Sequence, residues 1–349
     1  MSKKQTTTIK EVAALAGVSQ MTVSRVLNDQ SAVKETTRKR VQAAIRELNY
    51  RPNVMARNLA GRSGLFIGLI YRNPSYGYLS EFLLGALNAC REMGHYLIVE
   101  EPIVDDAMTD LELIEQRFRS SSIQALIVVP PLSENQKLID TLEKTGISFV
   151  CIGPPLEAYT GPSIKMNEEL AAREMTDYLI GLGHKRIALI KGPEDHRGSD
   201  LRFKGYLSSL EAKHIGPHPE LVKTGDFTYV SGMRCAAELL AMRNPPDVIF
   251  ACNDDMAAGA IAAAHRAGLR VPEDVTVVGF DDTENASSTW PTLTTVRQPI
   301  REMARCAIEM LSQPEDQLTK GDKHILLDHE LVIRKSSAPP NRKQDSLAS

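Results

Sequence analysis

Ile9, Val12, Ala13 and Ala16 stand at i, i+3, i+4 and i+7, the spacing of one apolar helix face. Gly17-Val18-Ser19 breaks that pattern: Gly17 suits the positive φ of a tight turn, Val18 can plug two helices, and Ser19 can cap a second helix beginning at Gln20. At 100° per residue Val23, Val26 and Leu27 share one side of that helix, leaving Met21, Ser24 and Arg25 on the other. A third helix follows, with Val41, Ala44, Ile45 and Leu48 on its apolar face and Arg38, Lys39, Arg40 and Arg46 largely elsewhere. From Leu65 the pattern changes to short apolar runs alternating with helical periodicity. Phe66–Ile70, Tyr96–Glu100, Ala125–Val129 and Phe149–Gly153 read as buried strands, and Leu79, Phe82, Leu83, Ala86, Leu87 and Cys90 mark a helix between the first two. The alternation recurs in a second half, with strands at Arg186–Ile190, Val248–Cys252 and Val275–Gly279 and helices near 168–181, 200–213, 229–243 and 255–267.

This pattern predicts a small all-helical helix-turn-helix domain followed by a two-lobed, doubly wound parallel-sheet core, an α plus α/β architecture. The expected boundaries are 1–52 for the helical domain, 53–62 for a connecting hinge, 63–338 for the core and 339–349 for a polar tail. Within the core, the first lobe is expected at about 63–164 and 296–323, the second at about 165–295 and 324–338. A cleft between such lobes binds ligands beyond the carboxyl ends of the strands.

The 349 residues carry a net charge of −3, which conceals a division. Residues 1–62 hold twelve Lys/Arg against four Asp/Glu, or +8, and the remainder 29 against 40, or −11. A basic module on an acidic body is expected where the module alone meets a polyanion. No run approaches the length of a membrane span and the amino-terminal residues lack an apolar signal core, so the cytoplasm is the expected location. The five cysteines, Cys90, Cys151, Cys235, Cys252 and Cys306, are scattered through apolar patterns and read as buried thiols. His214 and His218 enclose Gly216-Pro217 and read as a loop; no metal site and no cofactor are expected.

The second helix has the chemistry of a reading element. Arg25 can give two hydrogen bonds to guanine, Gln20 can pair with adenine, and Met21 can touch a thymine methyl. Thr22, Ser24 and the amides at the helix start suit phosphate oxygens.

Residues Thr8 to Ser19 (TIKEVAALAGVS), Thr22 to Asn28 (TVSRVLN) and Glu47 to Asn53 (ELNYRPN) resemble the start of the lactose-repressor/galactose-repressor family. The resemblance implies an operator-binding transcription regulator, with DNA contacts extending to Thr8, Ser19, Asn28, Tyr50 and Asn53. Lys34 stands where the family often has a Ser or Thr capping the third helix, so a cap that is weaker or supplied by a neighbour is expected there. Pro52 to Gly61 (PNVMARNLAG) resembles the family's hinge, a segment too short for a stable isolated helix. In that reading it is helical only with DNA and a partner copy, Leu59 wedges between base pairs, and Ala56 and Arg57 line the minor groove. A homodimer on a near-palindrome follows.

The resemblance extends through the core and implies the fold of periplasmic sugar-binding proteins. Asn253, Asp281 and Arg202 fall where the family binds sugar hydroxyls, Phe227 offers a stacking face, and Asn73, Tyr76 and Gln298 complete the expected effector contacts. Tyr76 and Tyr78 read equally as loop packing, and Asp254 and Asp282 as helix caps or contacts between lobes. Together these features point to a repressor of carbohydrate-metabolism genes released by a sugar or sugar derivative; an effector that promotes operator binding is the alternative.

An enzyme is the main rival class, but the chain has no phosphate loop, no Gly-x-Ser-x-Gly elbow and no dinucleotide fingerprint, since Gly181-Leu-Gly183 precedes a strand. A transport binding protein does not account for the basic module. The tail lacks heptads, against a carboxy-terminal coiled coil that would make tetramers.

Overall fold

The computed structural model describes residues 8–27, 33–48, 64–72, 74–100, 122–153, 159–313 and 323–341. The hinge reading with Asn53, Ala56, Arg57 and Leu59, the readings of Asn28, Tyr50 and Asn73, and residues 342–349 of the tail lie outside the described residues. The chain divides into two units, Met1–Gly64 and Leu65–Ser349.

The first unit holds α1 (Ile9–Ala16), α2 (Gln20–Leu27) and α3 (Glu35–Glu47). Thr8 and Glu11 form a reciprocal capping box at the start of α1, and Gly17 closes it in the left-handed conformation at φ 61°. Val12, Ala13, Ala16, Val23, Val26, Val41 and Ala44 are buried together, with Ile9, Val18, Val33, Ile45 and Leu48 packed against them. Val18 is thus the expected plug. Lys34 makes no side-chain cap to α3, as its chemistry predicted.

The second unit contains two six-stranded sheets. Its strands are β1 (Phe66–Ile70), β2 (Tyr96–Glu100), β3 (Ala125–Val128), β4 (Ser148–Ile152), β5 (Ser163–Met166), β6 (Ile187–Lys191), β7 (Val222–Thr224), β8 (Val248–Ala251), β9 (Thr276–Asp281), β10 (Thr294–Arg297), β11 (His324–Leu327) and β12 (Glu330–Val332). The first sheet has the order β11-β5-β4-β3-β1-β2 and is wholly parallel; the second, β12-β10-β9-β8-β6-β7, is parallel except for the edge pair β10/β12. The helices of this unit are α4 (Tyr76–Met93), α5 (Gln136–Thr145), α6 (Glu168–Gly181), α7 (Arg197–Ala212), α8 (Tyr229–Leu240), α9 (Asp254–Arg266), α10 (Glu284–Ser288) and α11 (Ile300–Leu311). In each sheet the winding reverses beside the strand that opens the lobe, β1 or β6, and that reversal leaves a crevice at the carboxyl ends.

The expected lobe boundaries need correction. β5 continues to Met166 in the first sheet, and β10 stays in the second through Arg297. The segment assigned from 324 onward to the second lobe begins instead with β11, hydrogen-bonded in parallel to β5 of the first. Four-residue edge strands such as β11 carry too little apolar pattern to show which sheet they extend. The chain therefore crosses three times, after β5, after β10 and between β11 and β12.

In the second lobe α8 and α9 meet backbone to backbone. A Cβ at Gly259 would lie 2.2 Å from the Tyr229 carbonyl oxygen, and one at Gly232 2.3 Å from that of Met256. Replacing Gly259 by alanine is therefore expected to cost about 1–3 kcal/mol through overpacking. Gly181, with nothing near the corresponding position, should accept alanine with no loss of stability. Urea unfolding of the two variants checks this, and equal midpoints would refute the close approach.

Candidate functional site

In the amino-terminal unit the outer side of α2 is built by default from what its core side excludes. Val23 and Val26 are buried, so Gln20, Met21 and Arg25 emerge exposed, with Thr22 and Ser24 half-buried beside them. Met21 keeps 65% of its surface in water, unusual for a thioether with no partner to cover it. Ser19 caps α2 by accepting from the Thr22 amide at 3.1 Å, and the two hydroxyls lie 2.9 Å apart. Thr8 is exposed but its hydroxyl donates to Glu11 Oε2 at 3.0 Å. Arg40 does structural work that its charge alone did not reveal: its Nη2 donates to the Ala16 carbonyl at 2.6 Å and to that of Gly17 at 3.1 Å, clamping the turn before α2.

In the core a narrow cavity of about 30 Å³, open to solvent, lies between the two sheets. Ser75, Tyr78, Pro130, Gly153 and Glu168 approach from behind the carboxyl ends of β1, β3, β4 and β5. His196, Arg202, Phe227, Asn253 and Asp281 do so from β6, β7, β8 and β9, and Gln298 and Met303 close the ring after β10.

Arg202 is the centre of this arrangement. Its Nε donates to Glu168 Oε2 at 2.8 Å, Nη1 donates to the Cys252 carbonyl and lies 3.9 Å from Asp281 Oδ1, and the guanidinium sits 3.8 Å from the Phe280 ring centroid. Burial works against that charge, but Glu168 and Asp281 outweigh it and hold the guanidinium above the ordinary arginine range. Asp281 is driven well above the usual carboxylate range, first by burial and then by the neighbouring Asp254, while Arg202 pulls the other way. Its backbone is strained at φ 118°, as is that of Phe227 at 65°. Phe227 lies with its ring so close to Gly192 that a Cβ there would come within 2.1 Å, and His196 stands edge-on to it at 4.9 Å. Burial, then the charge of Arg202, lowers His196 to about 3, so its imidazole is uncharged.

Of the expected effector residues, Arg202, Phe227, Asn253, Asp281 and Gln298 converge on the cavity. Tyr76 does not line it: at 82% exposure it begins α4 facing water, and its neighbour Tyr78 takes the cavity position. The two are separated by 200° on the helix, so a loop reading could not choose between them. Asn253 is largely committed within the protein, accepting from the Met256 amide and donating to the Phe227 carbonyl, both at 2.9 Å. Glu168 and His196 were not anticipated. Asp254 is a buried tie, accepting from the Thr283 amide at 2.7 Å and from Thr295 Oγ1 at 2.7 Å. Asp282 pairs with Arg297 and Arg334 of its own lobe. Asp255 is the residue of this group that contacts the other lobe, through Ser75 Oγ at 2.9 Å. Among the described residues no cluster of three metal-ligating side chains occurs.

Residues 8–53 match the model of bacterial regulatory proteins of the lacI family, and 176–337 that of a periplasmic binding protein-like domain. The chain is 34% identical, over 94% of its length and 98% of the relative's, to a probable HTH-type transcriptional repressor ExuR of Bacillus subtilis strain 168. It is 32% identical to the lactose operon repressor of Escherichia coli K12, over 97% of this chain and 93% of that one. The chain belongs to the LacI family. A solved complex of the transcriptional regulator CelR with cellobiose superposes at a TM-score of 0.71, at 30% identity, covering 95% of this chain and all of that one.

In this LacI-family core a second contact spans the lobes. Glu134, in a 3-10 turn after β3, accepts from the Arg197 amide at 2.7 Å, and so caps α7 from the opposite lobe where His196 makes no cap of its own. Burial pushes Glu134 up to about 7, against the pull of the Arg197 amide. Because that value lies above the ordinary 4.5, the folded protein holds a proton that the unfolded chain releases first. The contribution is complete below about 4.5 and is lost as pH rises through about 7. The stability of the wild type relative to Glu134→Gln should thus fall by roughly 1–2 kcal/mol between pH 5 and pH 8. Melting both proteins across this range checks it; a pH-independent difference would remove the assignment.

Proposed function

We propose that this chain is a cytoplasmic, homodimeric repressor of carbohydrate-metabolism genes, released from its operator by a sugar or sugar derivative bound between the lobes, and that it is not an enzyme. The observation that carries this reading is the union, in one chain, of an exposed polar and thioether face on a helix-turn-helix with an inter-lobe cavity lined by directional polar groups and the rings of Tyr78 and Phe227. CelR, with cellobiose in its solved complex, offers the parallel for the ligand. No helix among the described residues is long and apolar enough to cross a membrane.

In this mechanism α2 enters the major groove. Arg25 and Gln20 read base edges, Met21 meets a thymine methyl, and Thr8, Ser19, Thr22 and Ser24 face phosphates. Asn28, Tyr50, Asn53, Ala56, Arg57 and Leu59 extend the contact through the hinge. In the core Arg202, Asp281 and Gln298 hold ring hydroxyls, Phe227 stacks on the apolar face of the ring, and Asn253 keeps the Phe227 backbone in place. The cavity is lined from both lobes, by Ser75 and Tyr78 on one side and Arg202, Phe227 and Asp281 on the other, so an effector that fills it favours the closed arrangement over the open one. A ligand can shift the equilibrium only by that difference. Coupling is reciprocal: an effector that loosens operator binding tenfold itself binds about tenfold more weakly to the operator complex, near 1.4 kcal/mol.

Arg25→Ala is expected to lower affinity for the specific operator by about 1–3 kcal/mol and relax one base position, with random DNA little affected. Equal losses on both, in fluorescence anisotropy at fixed salt, would take Arg25 out of base reading. Asp281→Asn should retain operator binding in the absence of ligand but lose its release by sugars, measured on the same labelled operator. Normal release by this variant would refute the pocket.

A further inference from the structure

We infer that the cleft selects an uncharged, hydroxyl-rich effector and excludes its carboxylate- or phosphate-bearing counterparts, because Glu168 has already met the charge of Arg202. This deepens the sugar reading above and rests on it.

A cleft with one buried arginine invites the opposite expectation, since a guanidinium is the usual partner of a carboxylate or phosphate. Here that partner is built into the protein. Glu168 opens α6, whose cap is supplied separately by Asn167 accepting from the Leu170 amide at 3.0 Å. The glutamate is thereby free to turn inward, where it is only 5% exposed and 2.8 Å from Arg202 Nε. Asp281 stands on the other side of the same guanidinium. Among the described lining residues Arg202 is the only permanent cation, against the two carboxyl groups of Glu168 and Asp281, and His196 is uncharged. Glu134, Asp254 and Asp255 add further carboxyl groups behind this lining. Outside it, Lys191 is paired to Asp200 at 3.2 Å, and Arg297 and Arg334 to Asp282.

An anionic ligand entering this space would leave water for a site whose one permanent cation is already neutralised by Glu168. A buried charge without compensation is among the costliest arrangements in a protein. A hydroxyl meets no such obstacle: it donates to Asp281 or Glu168, and it accepts from the N–H groups that Arg202 retains out of its five donors. Glu168 is a positioning and charge-setting residue in this scheme. It fixes the guanidinium plane over Phe280 and converts Arg202 from an anion receptor into a hydrogen-bond donor.

Matched probes test this on the full-length protein: D-glucose with D-glucuronate and D-glucose 6-phosphate, D-galactose with D-galacturonate, and cellobiose with cellobiouronate. Each is measured by calorimetry and by release of labelled operator. Binding is expected only from uncharged members, with at least about a hundredfold preference over the acid of the same skeleton. A sugar acid or phosphate that binds as well as or better than its neutral counterpart overturns the inference and leaves the sugar reading intact. Silence from every probe removes the sugar reading, and the inference with it. Glu168→Gln should narrow the preference at least about tenfold, while Glu168→Asp, which keeps the charge, should preserve it. Circular dichroism and melting confirm that both variants fold; an unchanged ratio in a folded Glu168→Gln protein would take Glu168 out of this role.

Discussion

The core is organised around one unfavourable act, the burial of the Arg202 guanidinium. Removing that ion from water is tolerable only if carboxylate, carbonyl and aromatic groups surround it at short range. Glu168, Asp281, the Cys252 carbonyl and the Phe280 ring are those groups, and they come from the start of α6, the ends of β8 and β9, and the body of β9. Because these elements are far apart in sequence, the arginine fixes where their ends stand relative to one another. The strained backbone of Asp281 is held in this surrounding.

The same strand order in both sheets explains why the polar groups meet where they do. Each lobe places its crevice at the carboxyl ends of its strands, and facing the two crevices towards each other produces one site between them. Across that site the lobes are joined by short polar contacts, Ser75 to Asp255 and Glu134 to the Arg197 amide. Such contacts exchange for water with small net cost, which suits the lobe closure proposed for this core.

The amino-terminal unit solves a different problem, a stable fold from very few residues. Among the described residues seven buried side chains of modest size form its centre, so end effects carry unusual weight: the capping box at Thr8, the left-handed Gly17, the Ser19 cap and the Arg40 clamp all act at the turn or the helix ends. Each is small by itself, about 0.5–2 kcal/mol for a cap, yet together they hold α2 at a fixed angle with its polar side outward.

Much of this was determined by the sequence alone. The three amino-terminal helices follow from apolar periodicity and turn chemistry, β1 and β2 from short apolar runs, and the cavity residues Asn253 and Asp281 from polar groups at strand ends, while Arg202 came from the resemblance to the family. These signals are local: a helix face, a turn or a strand end is written within a dozen residues. What the tertiary structure decided is non-local. β11 and β12 are too short and too exposed for a pattern to show which sheet receives them, and only backbone pairing does so. Tyr78 rather than Tyr76 faces the cavity because helix phase, not loop composition, sets their directions. Nothing in the local sequence sets Glu168 and Glu134 apart from other glutamates. They became a buried ion-pair partner and a cap across the cleft because the second lobe's Arg202 and the unsatisfied amide of Arg197, distant along the chain, were folded against them.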